Sequence, residues 1–236
     1  MLEVKDLTLT TKKKDILKNI SLKISKGELV ILFGTNGGGK SSLCKNIAGV
    51  GDLKVREGKI LLNKEDITKL NPEKRFKKGI SYMWQKTPSV RGISLKAFLK
   101  EKFPKKAKDE IFLQFKEDLE RLDILKFFDR DIHGNLSGGE SRRLELFLST
   151  IERKNRVFLF DEPDSGVDMK NVKRIGEYIS ELFKEKSNSG ILITHSGEIL
   201  EYVRGSRAIV INDGEITKRG SVKKIFKEMK EGEGTK

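Results

Sequence analysis

Cysteine, histidine and long apolar runs are scarce in this sequence, and their scarcity excludes several classes of protein. The single cysteine, Cys44, can neither close a disulfide within the chain nor hold a metal ion by itself. The longest purely aliphatic or aromatic run extends from Leu29 to Phe33, whereas a helix needs about 20 apolar residues to cross a bilayer. We therefore expect no transmembrane helix and no membrane insertion.

The amino-terminal segment lacks the features of a secretion signal. Residues Met1 to Asp6 include acidic side chains and no apolar core, so we expect nothing there to direct export. Together with the single cysteine, this is typical of a protein from a reducing compartment, and we expect a cytoplasmic location.

Acidic residues are outnumbered by basic ones. The 236 residues include 49 Lys and Arg against 35 Asp and Glu, a formal net charge of +14. The basic residues are spread along the chain and many adjoin acidic ones, as in Lys116-Glu117-Asp118, which indicates a solvated surface. We therefore expect no direct nucleic-acid binding, and a net positive field suits an acidic protein partner better.

The length fits one α/β domain, so residues 1–236 are interpreted as a single domain. Continuous apolar runs predict buried strands at 29–33, 157–160 and 191–194, and apolar residues at helical spacing predict helices between them. Residues 88–136 show a helical pattern without a strand pattern and are expected to form a helical subdomain. Alternating strands and helices predict a mainly parallel sheet with ligands at the carboxyl ends of its strands.

A glycine-rich loop follows the first buried strand. Its sequence, Gly34-Thr35-Asn36-Gly37-Gly38-Gly39-Lys40-Ser41, satisfies the phosphate-loop pattern G-x-x-x-x-G-K-[ST] between a strand and a helix. Glycines let several backbone N–H groups face one anion, and the helix amino terminus adds partial positive charge. Lys40 is expected to reach nucleotide phosphates and Ser41 to bind Mg²⁺. The alternative, a glycine-rich turn without a ligand, is disfavoured by the strand–helix context.

Two acidic residues close the second buried strand. Asp161 ends the run at 157–160, where a carboxylate can hold Mg²⁺, directly or through water, opposite Ser41. Glu162 follows and is suited to polarise an attacking water as a general base. The alternative is a pair of acids at an ordinary strand end, which the phosphate loop makes weaker.

A third motif, Leu136-Ser137-Gly138-Gly139-Glu140, precedes an amphipathic helix. Ser137 and Glu140 satisfy the capping-box pattern of a helix amino terminus, which is a purely structural interpretation. A capped helix start with two glycines is also a phosphate-binding device, so both interpretations remain open for this segment.

In this order along the chain, the motifs resemble those of the ATPase domain of ABC proteins over nearly the whole sequence. The phosphate loop, the segment 136–140 and the segment 157–162 resemble the Walker A, signature and Walker B motifs of that family. Three further residues resemble the Q-loop glutamine, the D-loop aspartate and the switch histidine of the family: Gln85, Asp168 and His195. Taken alone, a histidine at a strand end is more often structural.

The chain departs from the family pattern at a few positions. No aromatic residue precedes Phe33, although ABC ATPases often stack adenine on an aromatic side chain in that region. Glu140 stands where many members have Gln, and Ser42 where many have Thr.

The resemblance implies an α/β P-loop NTPase of the ABC-ATPase type, with a mainly parallel central sheet, an antiparallel β-subdomain and a helical subdomain. It implies a homodimer that sandwiches two ATP molecules head to tail, so that the signature motif of one chain meets the γ-phosphate held by the other. The implied site residues are catalytic Glu162, His195 and Gln85, metal-binding Ser41, Gln85 and Asp161, and nucleotide-binding residues 34–42 with Ser137, Gly138, Gly139 and Asp168.

Within the family, three stretches resemble SufC-type ATPases of the SUF iron–sulfur cluster assembly system. These are the run from Asp161 to Asp168, which has Asp164 where transporter cassettes usually have Thr, the Q-loop region from Gln85 to Ser94, and the segment from Ser137 to Arg143. The resemblance implies docking on SufB- or SufD-like scaffold proteins through a groove near residues 85–98. The alternative is the ATPase subunit of an ABC membrane importer, whose partner is a permease.

Overall fold

The structure is a computed structural model and describes residues 2–84, 92–132 and 136–233. Its strands are β1 (Leu2–Thr10), β2 (Asp15–Ile24), β3 (Leu29–Phe33), β4 (Lys54–Leu62), β5 (Glu65–Asp66), β6 (Ile80–Met83), β7 (Val157–Asp161), β8 (Ser189–Ile193), β9 (Arg207–Asn212) and β10 (Glu215–Gly220). Its α-helices are α1 (Lys40–Ala48), α2 (Pro72–Lys78), α3 (Leu95–Lys102), α4 (Lys108–Arg121), α5 (Gly138–Ser149), α6 (Met169–Leu182) and α7 (Val222–Glu233).

A six-stranded sheet in the order β10-β9-β3-β8-β7-β6 forms the centre of the protein. Strands β9, β3, β8, β7 and β6 are parallel neighbours, and β10 adds an antiparallel edge through a hairpin. Every residue of β3, β7 and β8 is buried, as expected for strands with a layer on each face. The predicted mainly parallel sheet is therefore confirmed, and the carboxyl ends of these three strands lie side by side.

A second, antiparallel sheet in the order β2-β1-β4-β5 covers one face of the central sheet. Residues 2–4 and 7–9 both belong to strand β1, whose pairing register with β2 shifts between Val4 and Leu7. Asp6, between them, has a φ of 47°, which is the local geometry of a bulge. The shift lets Val4 and Leu7 both face the core, although strict alternation places them on opposite faces.

The apolar core is divided by the central sheet into two clusters. One cluster joins the antiparallel sheet to α1, and it contains Cys44, which is fully buried. Cys44 is therefore a thiol of the apolar core, and burial raises its pKa well above the usual range. The other cluster lies on the opposite face and includes residues of α3 to α7.

The segment between β6 and α5 is helical where it is described. Helices α3 and α4 are followed by a short 3₁₀ turn, Leu125–Phe127. Ile111, Phe115 and Leu119 lie at helical spacing on α4 and are buried, as the helical pattern of this segment predicts. The extent of a subdomain over 88–136 stays a prediction, because residues 88–91 and 133–135 lie outside the described part.

Neither helix α2 nor strand β6 is predicted from the sequence. Helix α2 carries a single large apolar residue, Phe76, and so has no apolar stripe. Asn71 caps α2 by accepting from Lys74 N at 2.9 Å, and Pro72 occupies its first turn. Arg75 is buried and donates to the carbonyls of Asn46 and Ile47 at the end of α1, at 2.6 and 2.8 Å. This cation stabilises the carboxyl terminus of α1 and fixes that helix against α2.

Across residues 2–84, 92–132 and 136–233, no helix is long and apolar enough to cross a membrane.

Candidate functional site

The phosphate loop connects the carboxyl end of β3 to the first turn of α1. Gly34 has a φ of 140°, and a Cβ there would lie 1.8 Å from the carbonyl oxygen of Ile211. Gly39 is the residue before α1 with a φ of 104°, and a Cβ there would lie 2.4 Å from Leu17. Glycine is therefore required at both positions, by backbone conformation and by close packing. Thr35, Asn36 and Gly37 between them are exposed.

Lys40 lies inside this loop rather than in solvent. Its Nζ donates to the carbonyls of Gly34 and Thr35, both at 2.8 Å, and the residue is 4% exposed. Burial lowers the pKa of Lys40, while the carboxylates of Glu162 and Asp161 oppose that effect. The arrangement places a cation against the backbone of the loop, next to the amino terminus of α1, which suits the binding of an anion such as a phosphate.

Asp161 is fully buried at the end of β7 and accepts two hydroxyl hydrogen bonds. Ser41 Oγ donates to Oδ1 and the Tyr82 hydroxyl donates to Oδ2, each at 2.8 Å. Burial raises the pKa of Asp161, and these two hydrogen bonds oppose the rise. Tyr82 is not among the predicted site residues. It lies in β6, next to β7, and this strand pairing brings its hydroxyl to Asp161.

The oxygen atoms of Ser41 and Asp161 form the type of donor set that Mg²⁺ accepts. No group of three or more His, Cys, Asp or Glu side chains that could hold a metal was found within the part of the chain that the structure describes. A site with one hydroxyl and one carboxylate fits a Mg²⁺ ion that takes its remaining ligands from nucleotide phosphates and water.

Glu162 and His195 form a hydrogen-bonded pair at the ends of β7 and β8. His195 Nε2 lies 2.8 Å from Glu162 Oε1. Glu162 has a φ of 53°, and its backbone N donates to the carbonyl of Ile193 at 3.1 Å. A carboxylate at the carboxyl end of a central strand, in contact with an imidazole, can orient a water molecule and accept a proton from it.

Arg142, in α5, connects the residue that follows β7 to the residue that follows β6. It is buried in α5 and donates to the carbonyls of Trp84 and Glu162, both at 2.8 Å, and to Glu145 Oε2 at 2.9 Å. The backbone just before residue 85 is thus fixed to the end of β7. Gln85 itself lies outside the described residues, so its predicted role stays a prediction.

Ser137 begins α5 with both hydrogen bonds of a capping box. Its Oγ accepts from Glu140 N at 3.3 Å, and Glu140 Oε2 accepts from Ser137 N at 2.9 Å, which confirms the structural interpretation of this motif. A hydrogen bond from Lys126 and the backbone bond to Ser137 lower the pKa of Glu140 to about 2.

Asp168 caps the next helix, α6, and lies close to the start of α5. Its Oδ1 accepts from Asn171 N at 2.9 Å, and this bond is the main reason that its pKa is lowered. A Cβ on Gly139 would lie 2.9 Å from the Asn171 amide, and one on Gly138 would lie 3.7 Å from the carbonyl of Gly166.

The predicted site residues therefore lie in two groups. The phosphate loop, Ser41, Asp161, Glu162 and His195 form one group at the carboxyl ends of β3, β7 and β8. The other group, with Ser137, Gly138, Gly139 and Asp168, lies at the amino termini of α5 and α6.

Comparison with known proteins assigns the chain to a family. The sequence model of the ABC transporter family matches residues 17–165. A probable ATP-dependent transporter, ycf16, from Cyanidium caldarium is 34% identical, over 94% of this chain and 91% of that relative. An uncharacterized ABC transporter ATP-binding protein from Methanocaldococcus jannaschii is also 34% identical, over 95% of this chain and 90% of its own. The chain belongs to the ABC transporter family, as an ATP-binding and ATP-hydrolysing cassette.

Solved structures agree in fold. A dimeric post-hydrolysis state of the ATP-binding cassette MJ0796, bound to ADP and Pi, has a TM-score of 0.82 at 22% identity, over 94% of this chain and 99% of that chain. A nucleotide-free ATP-binding cassette from an ABC transporter has a TM-score of 0.78 at 23% identity, over 98% of this chain and 95% of that chain. The predicted fold class, a P-loop NTPase of the ABC-ATPase type, is thereby confirmed.

Proposed function

We propose that this chain is the ATPase of a SUF-type iron–sulfur cluster assembly system. It binds Mg·ATP, dimerises, and uses hydrolysis to change the conformation of a SufB- or SufD-like scaffold in the cytoplasm. The observation that carries the proposal is Asp164 in the run from Asp161 to Asp168, at the position where transporter cassettes usually have Thr. The resemblance of the stretches 85–94 and 137–143 to SufC-type ATPases supports it.

The nucleotide is held by residues 34–42, with Lys40 on its phosphates. Ser41 and Asp161 bind Mg²⁺ together with Gln85, and Glu162 acts as the base toward the attacking water, with His195 beside it. The short distances from Ser41 to Asp161 and from His195 to Glu162 support these roles, since each pair is within 2.8 Å. The wide exposure of residues 35–37 supports approach of a ligand to the loop.

The second group of site residues completes the nucleotide site of a partner chain. Ser137, Gly138 and Gly139 present the start of α5, whose amino-terminal N–H groups favour an anion. The phosphate loop packs against Leu17 and Ile211, whereas Gly139 packs against Asn171 at the start of α6. Because the two motifs contact different elements, this packing supports a head-to-tail homodimer in which each ATP lies between one phosphate loop and the opposite signature motif.

The scaffold docks next to the Q-loop. A cavity of about 220 Å³ is lined by residues of α2, β6 and α5, together with the residue that follows β6: Phe76, Ser81, Tyr82, Trp84, Glu145, Leu148 and Ser149. Arg142 fixes the carbonyl of Trp84 to that of Glu162, so a partner that moves Trp84 also acts on the backbone of the proposed base. This link supports coupling between partner and hydrolysis.

The second candidate is the ATPase subunit of an ABC importer. It is favoured by the names of relatives such as ycf16, which describe ATP-dependent transporters. In that case the same cavity would receive part of a membrane permease instead of a scaffold.

Affinity purification from the native host separates the two candidates. The tagged full chain and a Trp84→Ala variant are purified from separate soluble and membrane fractions, with Leu113→Ala as the control. Leu113 is 71% exposed on α4, so its substitution changes an apolar surface residue outside the cavity. We expect a SufB- or SufD-like protein in the soluble fraction with the native chain and the control, and less with Trp84→Ala. Recovery of an integral membrane permease alone would overturn the proposal in favour of an importer.

A further inference from the structure

Asp164 lies in the turn that follows β7, and the residue is 7% exposed. One of its oxygens, Oδ2, accepts a hydrogen bond from the Thr194 hydroxyl at 2.6 Å and another from the Ser196 hydroxyl at 2.9 Å. Thr194 and Ser196 flank His195 in the sequence. A single buried carboxylate oxygen therefore holds the chain on both sides of the histidine.

The two hydroxyls extend this contact to the backbone beyond the histidine. Thr194 Oγ1 accepts from Gly197 N at 3.2 Å, and Ser196 Oγ accepts from Glu198 N at 3.3 Å. Each hydroxyl thus donates a hydrogen bond to Asp164 and accepts one from a backbone N–H group of the loop. Hydrogen bonds to a carboxylate are roughly twice as strong as those between neutral groups. The two bonds to Asp164 are therefore the strongest in this network.

The histidine depends on its loop for position. The His195 side chain is 37% exposed, so packing restrains it less than it restrains Thr194, which is 1% exposed. Its Nε2 nevertheless lies 2.8 Å from Glu162 Oε1. Because Glu162 and Asp164 belong to the same turn, the carboxylate ties the histidine loop to the element that carries its partner.

We propose that Asp164 is a positioning residue that holds His195 within hydrogen-bonding distance of Glu162. The inference rests on the proposed catalytic roles of those two residues. Loss of the carboxylate then lowers kcat and leaves the KM for Mg·ATP unchanged, because the phosphate loop is held by different contacts, at Leu17 and Ile211.

The kinetic test compares Asp164→Ala, Asp164→Asn and His195→Ala in the full chain. We expect kcat of Asp164→Ala to fall about tenfold or more, in line with the cost of small misplacements of reacting groups. Asp164→Asn keeps an oxygen that accepts both hydroxyl protons, so it should retain more activity. The stoichiometry of ATP binding, measured by calorimetry, is expected to equal that of the native chain, which excludes a smaller folded fraction as the cause.

A spectroscopic readout separates positioning from general destabilisation. The sequence contains two histidines, so the ring-proton NMR spectrum has two sets of signals, and His195→Ala identifies the set that belongs to His195. In Asp164→Ala the His195 signals are expected to shift. Unchanged His195 signals would contradict the proposal.

Three outcomes decide the remaining cases. Native kcat in Asp164→Ala, with His195→Ala impaired, would overturn this inference and leave the proposed role of His195 intact. Native kcat in His195→Ala would overturn that role and this inference together. If Asp164→Ala fails to fold, the double variant Thr194→Val with Ser196→Ala removes both hydroxyl donors, and native kcat in that variant would equally overturn the inference.

Discussion

Ser41 Oγ donates to Asp161 Oδ1 over 2.8 Å, joining the first turn of α1 to the end of β7 across 120 residues of sequence. The bond brings a helix start that follows the phosphate loop next to a fully buried carboxylate. Two oxygens of a type that Mg²⁺ prefers are thereby held side by side by the fold itself. Burial also disfavours the ionised form of Asp161, so this carboxylate lowers the stability of the folded chain.

Replacing Asp161 with Asn should raise stability while it weakens Mg·ATP binding. Burial raises the pKa of Asp161, so the folded state holds its proton more tightly than the unfolded state does. The stability that this tighter proton binding gives to the folded state is present at low pH. It is lost as pH rises from the ordinary carboxyl range through the raised pKa. We expect the melting temperature of Asp161→Asn to match that of the native chain at low pH and to exceed it increasingly toward neutral pH.

Tyr82→Phe is the matched control for this prediction. It keeps the buried charge and removes the hydroxyl that donates to Asp161 Oδ2 at 2.8 Å. The variant should be destabilised by roughly 1.5–3 kcal/mol at neutral pH, the usual range for a hydrogen bond to a charged group. An Asp161→Asn protein that melts below the native chain at neutral pH would show that the carboxylate stabilises the fold.

Lys40→Ala should weaken ATP binding without abolishing the fold. Its ammonium lies 2.8 Å from two carbonyls of the phosphate loop, where it can meet the phosphates of a bound nucleotide. Loss of one charge-assisted contact should reduce the binding free energy by roughly 1.5–3 kcal/mol in titration calorimetry. Lys77→Ala removes the same charge from the exposed face of α2, where its ammonium pairs with Glu73, and should bind ATP as the native chain does. Equal affinity in Lys40→Ala would exclude the proposed contact.

The central sheet and the phosphate loop could be predicted because their signals are local. Strands β3, β7 and β8 are continuous apolar runs, and the loop before α1 is a contiguous pattern of glycines, lysine and serine. Helix α2 lacks an apolar stripe, so its position depends on Arg75 and its contacts with the end of α1. Such contacts follow from tertiary packing and leave no periodic pattern in the sequence.

The supporting residues of the site are harder to predict for a related reason. Tyr82 meets Asp161 across 79 residues, Arg142 meets Trp84 across 58, and Ser196 meets Asp164 across 32. Each bond depends on side-chain directions that only the folded topology defines. The motifs identify the groups that bind or react, whereas the residues that hold them are found from the structure.

A mixture of two inactive variants tests whether the site is shared between chains. Lys40→Ala disables the phosphate loop, and Ser137→Arg blocks the start of α5 in the other group of site residues. In a random mixture half of the dimers are mixed, and each mixed dimer keeps one intact site. We expect about one quarter of native ATPase activity if the two sites of a symmetric dimer act independently. Activity no higher than that of either variant alone would indicate that each chain forms its own complete site.

The measurement that tests the account most directly is the mass of Glu162→Gln in the presence of Mg·ATP. Gln keeps the shape of the proposed base and can still hydrogen-bond to His195, but it cannot take a proton from water, so hydrolysis should slow about 100-fold or more. ATP is expected to convert the 26.8 kDa chain into a dimer of twice that mass in analytical ultracentrifugation, and ADP is not. A variant that hydrolyses ATP at the native rate, or remains monomeric with ATP bound, would contradict the account.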